Sequence, residues 1–223
     1  MTKKLDGYRG KLSSAQIADG MNAAVANARL LLEDAKFLLE RMRYPTATSL
    51  AILAIEEDGK TALLRYLALS TSEAELLAAW KSYRSHTKKN LAWIMPELIK
   101  SGARTLDDLY VLVDKESEHP YLLDRVKQLG FYTDYLGDAR LSIPVEIADE
   151  SLARRIVTTA DVLVNARTSA YTTKEVDLWI ENLGPAWGQD MPSIKEGIVR
   201  FYEAMQAHGL EPAGPNEMEL FVT

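Results

Sequence analysis

Three features of the 223-residue chain predict an all-α fold. Apolar residues recur at helical spacing over long stretches. Capping pairs open several of those stretches. No segment alternates in a way that would make a convincing strand pair. The first helix, expected over residues 14–42, shows this most clearly. Ile17, Met21, Ala24, Ala28, Leu31, Ala35, Leu38 and Met42 step by four and three in turn, an apolar seam for a neighbouring helix. Ser13 and Gln16 have the spacing of a capping box in front of it. The small residues Ala24, Ala28 and Ala35 allow that neighbour to come close.

Tyr44-Pro45 breaks the chain, and Pro45 suits the first turn of a second helix over residues 46–69. Its centre, LAILAI, is apolar on every face, which marks a buried, central helix. So short a break between two long helices predicts an antiparallel hairpin. Ser72 and Glu75 cap a third helix over residues 73–89, with Leu76, Trp80 and Tyr83 along one stripe. Helical character continues over residues 91–100, then more weakly over 105–118 and 121–129, with Pro120 as a break. Residues 130–144 read as an extended loop across the bundle. Leu152, Ile156, Ala160 and Leu163 open a further helix over 149–170. Thr172 with Glu175, and Ser193 with Glu196, cap the last two helices, which Gly184-Pro185 and Gly209 stop. The expected organisation is one helical domain over residues 13–209, with flexible tails at 1–12 and 210–223.

Composition narrows the chemistry. The chain has 26 Lys+Arg against 32 Asp+Glu, a net charge of -6, and no cysteine. Without thiols there can be no disulfide, thiolate zinc site, iron–sulfur cluster or cysteine nucleophile. No glycine-rich phosphate loop is present. Glu116 and His119 have a Glu-x-x-His spacing, but a di-metal bundle needs two such motifs. Neither metal nor cofactor is therefore expected. The absence of a leader-like N-terminus or a long apolar run predicts a cytoplasmic protein with no membrane partner. An acidic chain can meet nucleic acid only through a local basic patch.

Two segments concentrate reactive side chains. Glu56-Glu57-Asp58-Gly59-Lys60 follows the apolar run of the second helix. Glu56 and Lys60, or Glu57 and Lys60, can form an ion pair on one helical face, and spacing alone favours that structural role. Gly59 weakens the helix and so suggests close packing of another backbone or of a ligand. The second segment, residues 81–89, holds four Lys/Arg and one His. On a continuous helix Lys81, Ser85, Lys88 and Lys89 would share a face, with His86 beside Ser82 and Lys89. Cations hold phosphate, and His is the natural acid–base near neutral pH. A basic helix end complementing the helix dipole is the plainer alternative. Tyr132-Thr133-Asp134-Tyr135 would pin the loop to the core or wall a groove.

These segments together carry a family resemblance. NARLLLEDAKFLLERMRYPTATSLAILAIEEDGK, residues 27–60, resembles the AbiV-type abortive infection proteins, a branch of the HEPN superfamily. WKSYRSHTKK (80–89), GFYTDY (130–135) and TTKEV (172–176) resemble further segments of that family in the same order. The resemblance implies a HEPN-like antiparallel bundle with additional C-terminal helices, a homodimer, and growth arrest on phage infection. Many HEPN proteins are metal-independent endoribonucleases whose signature is Arg, four to six residues, then His. This sequence departs from it. Arg84 precedes His86 by two positions, and Lys81 has the right spacing but is not Arg.

Two functions from different classes follow. In the enzymatic one, RNA is the partner and His86 is the acid–base. Lys81 and Arg84 hold the reacting phosphate, Glu57 and Lys60 orient the group, and Lys88 and Lys89 bind the RNA backbone. Glu56, Tyr132 and Asp134 are structural or line a pocket. In the other, the dimer is a non-catalytic module that binds a phage-encoded or host protein, and the same residues are polar supports.

Overall fold

The computed structural model describes residues 6–114 and 116–223. The first five residues of the expected N-terminal tail, and residue 115 within the expected 105–118 helix, lie outside them. The chain is all-α apart from one small hairpin. In order, the helices are α1 (Ser14–Glu40), α2 (Tyr44–Leu69), α3 (Glu73–Arg84), α4 (His86–Lys89), α5 (Met95–Lys100), α6 (His119–Phe131), α7 (Glu150–Val164), α8 (Thr173–Leu183), α9 (Met191–Ala207) and α10 (Glu217–Val222). The described residues form two compact units. One takes the residues up to Met21 with Ala62–Arg84 and Tyr171–Val222. The other takes Asn22–Thr61 with Ser85–Ala170.

The two long helices form because their apolar positions repeat at the helical period. Ile17, Met21, Ala24, Ala28 and Ala35 are buried, as the seam predicts. The seam ends where α1 ends. Met42 leaves the helix at φ 59°, a left-handed position usually given to glycine, and is exposed. The amide of Arg43 donates back to the Leu38 carbonyl and closes the turn. Ser13 and Gln16 form the expected reciprocal cap, with each backbone amide donating to the other side chain.

In the second unit, Ala28, Leu32 and Ala35 of α1 pack with Ala51, Ile52, Ala54 and Ile55 of α2. Leu123 of α6 and Ile156, Val157, Ala160, Leu163 and Val164 of α7 complete this core. The first unit has its own core: Ile17, Ala18 and Met21 with Leu64, Leu67, Ala79, Trp80 and Val176. Early α1 meets late α2, and late α1 meets early α2, so the hairpin is antiparallel as expected. A third cluster joins Leu69, Leu178, Leu183, Phe201 and Met205. There the Glu175 carboxylate, almost fully buried, accepts from Arg65 at 2.6 Å.

Several expectations need correction. Helix 3 does not run to Lys89. Ser85 is extended (φ −79°, ψ 127°), so α3 stops at Arg84 and α4 is a separate turn. The helical face shared by Lys81, Ser85, Lys88 and Lys89 therefore does not exist. Pro120 does not break a helix. It sits in the first turn of α6, where its missing N–H would have no intrahelical partner in any case. Residues 130–144 include an antiparallel hairpin, Asp134–Leu136 with Arg140–Ser142, in register Tyr135 opposite Leu141. The α9 cap is Asp190, which accepts from the Ser193 amide, rather than Ser193 itself. Beyond Gly209, α10 packs through Val222.

Candidate acid–base site

The site lies in the second unit, where α2, α4 and α6 meet. Two close backbone approaches build it. Gly130 of α6 lies against Ser49 and Pro45 of α2, so closely that a Cβ there would overlap the Ser49 hydroxyl and stand 3.1 Å from the Pro45 carbonyl oxygen. The Ser49 hydroxyl is 3.0 Å from the Pro45 carbonyl and 3.1 Å from that of Lys127, and it donates across the pair. This contact sets Lys127, one turn earlier in α6, over Glu56, two turns later in α2. The second approach is at Gly59, where a Cβ would overlap the carbonyl oxygen of Lys89. The glycine read as a packing residue therefore accommodates a backbone, that of the α4 turn. Asn90, fully buried, closes this turn by donating from Nδ2 to the Pro120 carbonyl at 2.9 Å.

The centre of the cluster is Glu56, only 1% exposed. Its Oε2 lies 2.6 Å from His86 Nδ1 and 3.5 Å from Lys89 Nζ. Its Oε1 accepts a short hydrogen bond from Lys127 Nζ. The Lys127 ammonium is also 2.7 Å from Asp124 Oδ1 and 3.1 Å from His86 Nδ1. Burying carboxylates in this setting requires paired cations, and here Glu56 and Asp124 face Lys89 and Lys127. The His86 side chain is half exposed. With Nδ1 turned inward onto Glu56, Nε2 is the ring nitrogen left for chemistry. A carboxylate that fixes one imidazole nitrogen and leaves the other free is the arrangement of a general acid–base.

The remaining predicted residues lie elsewhere. Glu57 and Lys60 pair with each other on α2, as their spacing suggests. Lys88 is exposed on the α4 turn, two residues after His86. Lys89, expected at a surface, has its ammonium buried against Glu56 and cannot offer it to an RNA backbone in this arrangement. Lys81 and Arg84 belong to the first unit. Arg84 is engaged there: its guanidinium donates to the Tyr8 carbonyl and lies 5.0 Å from the Trp80 ring centre. Tyr132 is exposed, and Asp134 of the hairpin lies 3.9 Å from Arg125 of α6. A cavity of about 490 Å³ opens between the 91–101 segment and α7, lined by Trp93, Leu98, Arg155, Thr159 and Val162 among others.

Sequence reasoning missed Lys127 and Asp124. A signal was present. Leu123, Lys127 and Gly130 step by four and three along the buried face of α6, so the lysine stands in an apolar register. A lysine in such a register needs a buried carboxylate opposite, and Glu56 supplies it.

An antiparallel helical hairpin with a buried carboxylate set against a half-exposed histidine defines a small α-helical module with a candidate acid–base site. The family model for AbiV, a HEPN family, matches residues 16–165, and the chain belongs to that family. The matched span contains Glu56, His86, Lys89, Asp124 and Lys127 and stops before α8. At the level of the family, the role is abortive infection. No curated protein and no solved structure matches this chain. Among the described residues, no helix is long and apolar enough to cross a membrane.

Proposed function

We propose that this protein arrests the growth of phage-infected cells by metal-independent cleavage of RNA, with His86 as the acid–base residue. The supporting observation is the 2.6 Å contact from Nδ1 of the half-exposed His86 ring to a buried Glu56 carboxylate, which leaves Nε2 outside that contact. In the reaction, Nε2 takes the proton of a ribose 2′-hydroxyl as its oxygen attacks the adjacent phosphorus. The bond from phosphorus to the 5′-oxygen breaks, and that oxygen takes a proton from the imidazolium of a second copy. The products are a 2′,3′-cyclic phosphate and a free 5′-hydroxyl. Lys88, exposed two residues after His86 on the same turn, gives a point charge for the phosphate.

The test compares wild type with His86→Ala on total RNA and in phage plating. Loss of cleavage by about 100-fold or more, with loss of protection, is expected for a general acid–base. A folded His86→Ala protein that cleaves like wild type overturns the assignment. One observation favours the second reading, a non-catalytic dimeric module for a phage or host protein. Arg84, the arginine nearest His86 in sequence, is bound to Tyr8 and Trp80. A folded His86→Ala protein that still protects decides for the module.

A further inference from the structure

Lys127 has a place in this site that neither the family match nor the acid–base role of His86 assigns. Its side chain is 3% exposed, so it cannot touch a substrate. Its ammonium has three neighbours: Glu56 Oε1, Asp124 Oδ1 at 2.7 Å and His86 Nδ1 at 3.1 Å. The last cannot be an ordinary hydrogen bond. If His86 Nδ1 accepted from Lys127, the 2.6 Å contact from Nδ1 to Glu56 Oε2 would set two lone pairs against each other. The shorter contact decides that Nδ1 carries the proton and donates it to Glu56. Lys127 then approaches the imidazole as a charge held by two carboxylates.

One ligand atom each from Glu56, Asp124 and His86 lies within 4.8 Å of the other two, a spacing that a bridging cation could use. The Lys127 ammonium already lies against all three. We infer that Lys127 is the resident cation of the site. It is a positioning residue that pairs with Glu56 and keeps it aimed at His86 Nδ1, fixes one imidazole tautomer, and occupies the position a metal would otherwise take. The inference rests on the acid–base reading of His86 for its meaning in catalysis, but the arrangement can be measured without RNA.

The measurement is the nitrogen spectrum of ¹⁵N-histidine-labelled full-length protein, with His86 assigned by difference against His86→Ala. At a pH where the His86 ring is neutral, wild type is expected to show a single Nδ1–H tautomer. Lys127→Met, which removes the charge and keeps an unbranched chain, is expected to lose that single tautomer. RNA cleavage by this variant is expected to fall by about 10- to 100-fold, as for other residues that orient a reactive ligand, with little change in KM. If Lys127→Met does not fold, Asp124→Asn tests the same point, because it removes one of the two carboxylates that hold the ammonium. A third arm uses zinc alone. Lys127→Ala, with the ammonium gone, is expected to gain a zinc-dependent rise in Tm that Lys127→Ala/Asp124→Ala lacks.

An unchanged His86 tautomer in a folded Lys127→Met or Asp124→Asn protein overturns the inference. So does zinc binding by wild type through Glu56 and Asp124 at the affinity of Lys127→Ala. Absence of RNA cleavage by activated wild type would instead remove the catalytic reading and leave the tautomer result to decide the role of Lys127.

Discussion

Single residues show how this chain uses burial. Asp58, next to the site on α2, has its carboxyl pushed up from 3.8 to about 6 by burial, with Arg29 partly opposing. An acid whose pKa is higher in the folded state binds its proton more tightly there. Its favourable contribution is complete below about pH 4 and is lost as pH rises through about 6. Above that, the folded state carries the cost of a poorly solvated carboxylate. Asp58→Asn is therefore expected to stabilise the protein by on the order of 2–3 kcal/mol near pH 7.5 and by almost nothing near pH 4. Urea midpoints at the two pH values check this. An equal gain at both would mean that ionisation is not the cause. Gly59 was legible at this scale: a glycine inside a strong helical pattern needs a packing reason, and the Lys89 carbonyl is that reason. Lys127 was not, because nothing local says which carboxylate a buried lysine will meet.

At the scale of elements, the site depends on how α4 and α6 lie on α2. Helix α2 contributes Glu56 and also the surface, small at Ser49 and Gly59, that lets the other two backbones approach. Gly59→Ala gains about 1 kcal/mol in helix propensity but forces the Lys89 carbonyl away, at a cost of about 1–3 kcal/mol for overpacking. The expected outcome is net destabilisation and displacement of the α4 turn. The His86 contact to Glu56 should be lost in the same variant, which the ¹⁵N-histidine spectrum reads directly. A variant that melts like wild type with His86 unshifted would show that the turn can move without consequence. The capping boxes at Ser13 and Ser72 and the seam of α1 were readable because each is a relation among residues within one or two turns. The stop at Ser85 was not. Its neighbours read as helix, and α4 docks on α2 and α6 through Gly59, Asn90 and Lys127, contacts made far along the chain.

For the whole molecule, the question is how many copies complete one reaction. One chain presents one half-exposed imidazole at the Glu56 centre, and the proposed chemistry needs both a base and an acid. Mixing wild type with a folded His86→Ala protein, with subunits allowed to exchange, distinguishes the cases. Cleavage should fall with the square of the wild-type fraction if two copies share a reaction. A linear fall would mean that each chain works alone. The net charge of -6 bears on the same scale. Lys89 and Lys127 are turned inward onto carboxylates, so the sequence count of cations overstates what the surface near His86 offers an RNA. Lys88 is the exposed lysine of that turn.

The sequence by itself determined the helical class, the two long antiparallel helices, most helix starts, the family and the two segments that carry Glu56, Gly59 and His86. These follow from short-range periodicity, caps and a contiguous motif. Only the tertiary structure separated the basic run. It turned Lys89 inward, left Arg84 on Tyr8 and Trp80, and brought Lys127 and Asp124 to Glu56 from about 70 residues away. A charged side chain declares its identity in the sequence, but its role depends on whether it meets water or a buried opposite charge. That is fixed only when distant helices pack.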